Sequence, residues 1–236
     1  MAPRELWVAD LGTLHYGAAL ALQRDLAARR IGGELPQDVL LLVEHPPVIT
    51  FGRSIRAGHL TATPDLLAAR GVEVHETERG GDITFHGPGQ LVGYPIVDLT
   101  RHRQDLHWYL RALEEVQVRA LAAFGIAAAR HPGKTGVWTR GRKIASIGVH
   151  ARQWVTWHGF ALNVTTDLSF FDLIVPCGLA GVDMTSVARE VTELGLAAAG
   201  EAPGALGAMA RPAVVQAMSD LLALTPRAWV DEADAT

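Results

Sequence analysis

Cysteine, lysine and long apolar runs are what this sequence has little of. A single cysteine, Cys177, in 236 residues excludes an intrachain disulfide framework and any multi-cysteine zinc or iron–sulfur site. A reducing compartment, the cytoplasm, is the expectation, and the residues imply no metal and no cofactor. No segment approaches the roughly 18 apolar residues of a membrane span, and Met1 to Asp10 lack an apolar stretch of signal-peptide length. Positive charge is not in surplus either. A formal net charge of −4 argues against a general nucleic-acid or membrane-surface binder, which needs a summed positive field. What is there is 49% hydrophobic and 19% charged, with 24 Gly and 12 Pro, and this excludes disorder, a collagen-like repeat and a coiled coil. The length is enough for one domain over residues 1–236 with a sizeable core.

All 21 basic residues except Lys134 and Lys143 are arginine. A coding bias toward arginine explains most of that ratio but not the exceptions. Arginine keeps its proton at any usable pH, whereas a lysine's pKa shifts readily on burial, so each remaining lysine is a candidate titratable amine.

Hydrophobic periodicity predicts strands over 6–11, 39–43, 48–51, 72–77, 91–99 and 155–164. Helices are expected over 16–30, 64–70, 104–124 and 212–224. Residues 136–138 and 143–150 read as strands flanking the turn 139–142, and 79–90 reads as a glycine-rich loop. Residues 194–210, rich in Ala and Gly, read as a loosely structured connection to the last helix. The predicted class is α+β, a mixed β-sheet with flanking helices.

Cys177 stands between Pro176 and Gly178 after the apolar pair Ile174-Val175. Most free cysteines are small buried hydrophobes. The flanking Pro and Gly favour instead a rigid backbone that exposes the sulfur and offers the N–H of Gly178 or Leu179 to a developing oxyanion. A thiol of pKa about 8.5 is only a few per cent thiolate at neutral pH, so a nucleophile here needs a nearby cation or base. The ten histidines and two lysines are the candidates. Period-two alternation from Lys143 places its side chain on the face of Ala145 and Ile147. An ammonium about 4 Å from the sulfur, at an effective dielectric of about 20, favours the thiolate by roughly 4 kcal/mol before solvent screening. In the segment Arg79 to Gln90, four glycines and a proline are interleaved with Arg79, Asp82 and His86, which marks a binding loop without either common phosphate-loop pattern.

Four motifs follow one another in order. They are Arg79-Gly80-Gly81-x-x-Thr84-Phe85-His86-Gly87-Pro88-Gly89-Gln90-Leu91-x-Gly93-Tyr94-Pro95, then Gly136-Val137-Trp138 with Arg142 to Val149, then His158-Gly159-Phe160-Ala161-Leu162-Asn163-Val164, then Pro176-Cys177-Gly178. Together they resemble the lipoyl-pathway octanoyltransferases, the LipB family, over about Leu6 to Val187. The resemblance implies the fold of the biotin and lipoate protein ligase catalytic domain. It implies transfer of an octanoyl group from octanoyl-acyl carrier protein to a lysine of a lipoyl domain, as in the E2 subunits of 2-oxoacid dehydrogenases and the glycine cleavage H protein. By position, Cys177 matches the nucleophile that carries the acyl thioester and Lys143 the partner that lowers the thiol's pKa. The family's substrate-binding segments fall on Arg79, Gly80, Gly81, Asp82, Ile83, Thr84, Phe85 and His86, on Ser146, Ile147 and Gly148, and on Gly159, Phe160 and Ala161.

That chemistry is physically consistent. Donor and enzyme intermediate are both thioesters, so the first step needs no ATP, and the amide product makes the second run downhill. Small residues around Gly148 and Gly159 leave room for an acyl chain, whose length is readable at about 0.8 kcal/mol per buried methylene. Arg53, Arg56, Arg140 and Arg142 are candidates to meet an acidic carrier protein. The competing readings are an ATP-dependent lipoate or biotin ligase, a cysteine hydrolase, and a non-enzymatic lipid- or protein-binding module.

Overall fold

The computed structural model describes residues 4–175, 181–196 and 203–229. The chain opens with β1 (Glu5–Thr13) and α1 (Tyr16–Gly32), which ends where Gly33, at φ 83°, turns its N–H back to the Arg29 and Arg30 carbonyls. Then come β2 (Asp38–Glu44), β3 (Val48–Phe51) and α2 (Pro64–Ala69), the last capped by the Thr63 side chain on the Leu66 N–H. After β4 (Glu73–Glu76), β5 (Ile83–His86) and β6 (Gln90–Ile96) runs α3 (Leu106–Ala122), capped by Asp105 on the Trp108 N–H. The second half holds β7 (Ala129–His131), β8 (Lys134–Thr139), β9 (Arg142–Arg152), β10 (Val155–Asn163), α4 (Val187–Leu194), α5 (Pro203–Leu222) and β11 (Thr225–Ala228).

The strands form a mixed eight-stranded sheet in the order β11-β1-β2-β6-β10-β9-β8-β7 and a three-stranded sheet β4-β3-β5. In the large sheet β1 runs parallel to β2 and β11, and the other pairings are antiparallel. The apolar run of β2 is buried on both faces, as a central strand requires. Leu40 and Leu42 point to one core, with Leu113, Val116 and Leu121 of α3 and Val214 and Met218 of α5. Val39, Leu41 and Val43 point to the other, with Ala19, Leu20 and Leu26 of α1. The small sheet has its own cluster, in which Ile49, Ile83 and Phe85 pack against Phe171, Leu173 and Ile174. The α+β architecture with flanking helices is therefore as expected.

The structure differs from the sequence reading at several elements. Strand β5 lies inside the predicted glycine-rich loop, and α4, β7 and β11 are additional. The loose connection expected up to residue 210 is already helix from Pro203, because Leu206, Ala210 and Val214 recur every four residues and enter the main core. Among the described residues no helix is long and apolar enough to cross a membrane.

Candidate active site

Two glycines facing each other across antiparallel strands, Gly148 on β9 and Gly159 on β10, leave a trough in the large sheet. A Cβ on Gly148 would stand 2.7 Å from the Gly80 carbonyl and 3.3 Å from Arg79 Cδ. Glycine there is what lets the segment 79–82 lie down across β9, where the Gly80 N–H donates to the Val149 carbonyl at 2.8 Å. From the other side Arg53 N–H donates to Arg79 O and Gly52 N–H to Asp82 O, each at 3.0 Å. The trough thus becomes a roofed pocket of about 220 Å³. At about 30 Å³ per water that is roughly seven water-sized groups, the scale of a medium-length acyl chain.

Most of the predicted binding residues meet on its wall: Arg79, Gly81, Asp82, Thr84, His86, Ser146, Ile147, Gly148, Gly159, Phe160 and Ala161. Gly80, Ile83 and Phe85 do not. The pleat of β5 sends Thr84 and His86 to the pocket and Ile83 and Phe85 to the small-sheet cluster. The Arg79 guanidinium is buried and donates from Nη2 to Thr50 O at 2.7 Å and from Nε to Thr50 Oγ1 at 3.2 Å. Asp82 accepts from the Ile83 N–H at 2.7 Å and stands 2.6 Å from His59 Nδ1.

Four segments outside the predicted binding residues complete the pocket. They are Tyr16 at the start of α1, Val92 and Tyr94 on β6, His158 on β10, and Gly133 with Lys134 and Thr135 at the start of β8. His45 accepts the Tyr94 hydroxyl on Nε2 at 2.8 Å while its Nδ1–H donates to Leu14 O at 2.6 Å. Burial pushes the Tyr16 phenol up to about 12 and holds His45 down to about 4 and His86 to about 3, so these groups are neutral at pH 7. His158 adopts φ 56° inside a strand, and its Nε2 stands 3.7 Å from Glu78 Oε1. Glu78 is held far below the usual carboxylate range by His158 first, then by the donors Arg24 and Trp157.

Lys143 is 1% exposed, and its face differs from the one expected. The β8–β9 register shifts between Val137 and Trp138, so that Val137 pairs with Ala145 but Trp138 with Lys143. Consecutive residues of β8 point to opposite faces and directly opposed residues share one, so this bulge turns Lys143 away from Ala145 and onto the face of Ser146 and Gly148. There its Nζ lies 5.9 Å from the Trp138 ring centre, and Lys134 Nζ, which belongs to the pocket lining, lies 5.3 Å from the same ring. A Cβ on Gly136 would stand 2.6 Å from Lys143 Cε. Cys177, with the possible oxyanion donors Gly178 and Leu179, lies outside the described residues. The chain reaches it from Val175, whose N–H donates to His59 O at 2.7 Å, and continues at Gly181 toward Asp183, whose carbonyl accepts the Lys143 N–H at 2.8 Å. Arg140 and Arg142 are engaged by Glu190 and Glu193, with Arg142 Nη2 2.6 Å from a carboxylate oxygen of each. They do not offer the free charge expected of them, whereas Arg53 and Arg56 are exposed and make no ion pair among the described residues.

The chain is 52% identical over 182 residues to an octanoyltransferase of Geobacter metallireducens, covering 77% of this chain and 82% of that protein. It is 48% identical to an octanoyltransferase of Chloroflexus aurantiacus over 95% of this chain and 97% of that one. Its fold is that of a lipoate-protein ligase A solved with ATP, with a TM-score of 0.71 at 16% identity over 99% of this chain and 91% of that chain. The bi-partite lipoate protein ligase of Thermoplasma acidophilum gives 0.68 at 17% identity over 100% and 90%. At those identities the likeness is one of fold. The sequence relatives go further, and since residues 15–202 also match its model, the chain belongs to the family of the lipoyl protein ligase A/B catalytic domain.

Proposed function

We propose that this protein is an octanoyltransferase of protein lipoylation, taking the acyl group from octanoyl-acyl carrier protein and delivering it to a lysine of lipoyl domains through a thioester on Cys177. The observation that supports the mechanism is Lys143, a buried side-chain amine turned by a β-bulge onto the pocket's face of the sheet. In this reading the Lys143 ammonium stabilises the Cys177 thiolate, and the Cys177 sulfur attacks the carrier's thioester as the carrier thiol leaves. The exchange of one thioester for another is close to isoenergetic. The acceptor amine then attacks the acyl-enzyme, displacing the Cys177 thiolate and forming an amide.

A free lysine of pKa about 10.4 is only about 0.04% neutral at pH 7, so the acceptor must lose a proton within the site. Lys143 relays it. The neutral rings of Tyr16 and His86 and the apolar side chains of Val92 and Ala161 suit an alkyl chain rather than a charged group.

Intact-mass analysis after mixing with octanoyl-carrier protein, without ATP, is expected to show an octanoyl adduct that maps to Cys177 and disappears in Cys177→Ala. Transfer that requires ATP, or that survives Cys177→Ala, identifies a ligase acting through an adenylate instead.

A further inference from the structure

A chain of buried side-chain amides joins the pocket to the strand that carries Lys143. Gln90 and Asn163 sit directly opposite each other at the ends of β6 and β10. Each is only 1% exposed. The Gln90 amide has one possible orientation, because its Nε2 donates to Phe85 O at 3.2 Å and to Asn163 Oδ1 at 2.9 Å. Its Oε1 is therefore the acceptor facing His86 Nδ1 at 2.7 Å, so that nitrogen carries the hydrogen and Nε2 is the ring's acceptor. Asn163 is oriented in the same way, accepting on Oδ1 and donating from Nδ2 to the Thr185 carbonyl at 3.0 Å. Thr185 in turn donates its N–H to Lys143 O at 2.9 Å. One directional relay runs from an imidazole on the pocket wall to the backbone of Lys143.

We propose that Gln90 and Asn163 are positioning residues for acyl transfer: their amides hold His86 in the Nδ1–H tautomer, with Nε2 left as an acceptor for the pocket, and fix the Lys143 segment relative to that ring. The proposal rests on the octanoyltransferase reading, since it assigns a purpose to an arrangement around that site. The groups facing the His86 ring besides Gln90 are Tyr16, His45, Arg79 and His158, and the ring is kept neutral by burial first and then by His45, Arg79 and His158. A neutral acceptor there takes an N–H from the acceptor amine or the carrier's arm, which an imidazolium repels.

Nitrogen-15 NMR of the histidine rings in the free full-length protein is the first test. His86 is expected as the Nδ1–H tautomer, with no titration between about pH 8 and 5. The Nε2–H tautomer, or a midpoint near the ordinary 6.5, overturns the proposal. This spectrum needs no substrate, so its outcome is told apart from a failure of the octanoyltransferase reading, which the mass adduct decides.

Kinetics are the second test. Asn163→Asp, which loses the donor to Thr185, is expected to lower kcat about tenfold or more while KM for the octanoyl carrier changes less than about threefold. Gln90→Glu places a carboxylate against His86 Nδ1, and it is expected to add an acid limb to the pH profile as His86 gains a proton, a limb absent from the wild type. Unchanged kcat in Asn163→Asp, or a Gln90→Glu profile identical to the wild type, overturns it. Should either variant fold poorly, Gln90→Met with its His86 tautomer read by NMR replaces it, and retention of the wild-type tautomer there counts against the relay.

Discussion

Lys143 faces Trp138 across the β8–β9 pair, with its Nζ 5.9 Å from the indole centre and its Cε over Gly136. The ring and the missing side chain together make a slot that holds the end of the Lys143 side chain. Gly136 has φ 127°, and its N–H donates at 3.1 Å to Glu114 Oε1, a fully buried carboxylate that also pairs with Arg111 and Arg130. The slot's floor is therefore fixed from behind.

Two substitutions test the slot. Lys143→Arg keeps the charge but cannot pass a proton on, and it is expected to lose at least about a hundredfold in kcat while the far-UV spectrum and thermal midpoint stay close to wild type. Gly136→Ala places a Cβ 2.6 Å from Lys143 Cε and 2.7 Å from the Ala145 carbonyl. It adds strain at a left-handed φ worth roughly 1–3 kcal/mol, so both the thermal midpoint and the rate of acyl-enzyme formation should fall. Single-turnover acylation of Cys177 measures the rate in each. Full activity in Lys143→Arg would reduce Lys143 to a packing residue.

The pocket wall also makes a statement about chain length. Ser146 and Ala161 face each other across β9 and β10, with Val92 beside Ala161 on β6. Ala161→Leu removes space that the end of an acyl chain would fill. Each methylene denied burial is worth about 0.8 kcal/mol, or roughly fourfold in kcat/KM. The variant is expected to shift preference from octanoyl toward hexanoyl carrier, measured as the ratio of the two kcat/KM values so that any general destabilisation cancels. An unchanged ratio would place the acyl chain elsewhere.

Much of this was legible in the residues because it depends on local rules. The 3.6-residue periodicity of α3 and the apolar run of β2 each fix an element with little help from the rest of the chain. The glycine motif announced close backbone approach, and Gly148 against Gly80 shows why. What was not legible is tertiary. β5 hides in a stretch that glycine punctuation reads as loop, and β7 and β11 are held in place by partners rather than propensity. The face of Lys143 depended on a one-residue bulge that no alternation rule contains. Tyr16 carried no local signal, and Tyr94 and His158 stood within the quoted motifs with no role assigned to them. His158 needed a left-handed φ within an otherwise regular strand, and the two tyrosines reach the pocket only once α1 and β6 are set beside β10.

The buried histidines finally make stability depend on pH in a stated direction. His86 and His45 sit 5.9 Å apart between ring centres, and burial, the largest cause for each, holds them to about 3 and about 4. In the unfolded chain both titrate near 6.5, so between those values the unfolded state binds more protons than the native one. Their contribution is complete above about pH 6.5 and is lost as pH falls toward 4, with a slope of up to about 1.4 kcal/mol per pH unit for each histidine. Urea midpoints measured from pH 7.5 to 4.5 are expected to fall steadily below about pH 6.5. His45→Gln, which keeps a side chain able to reach Leu14 O or Tyr94 Oη but does not titrate, should start from a lower midpoint at pH 7.5 and show a shallower slope. A flat wild-type profile would mean that these rings accept protons in place, and then the neutral lining ascribed to the acyl pocket would be wrong as well.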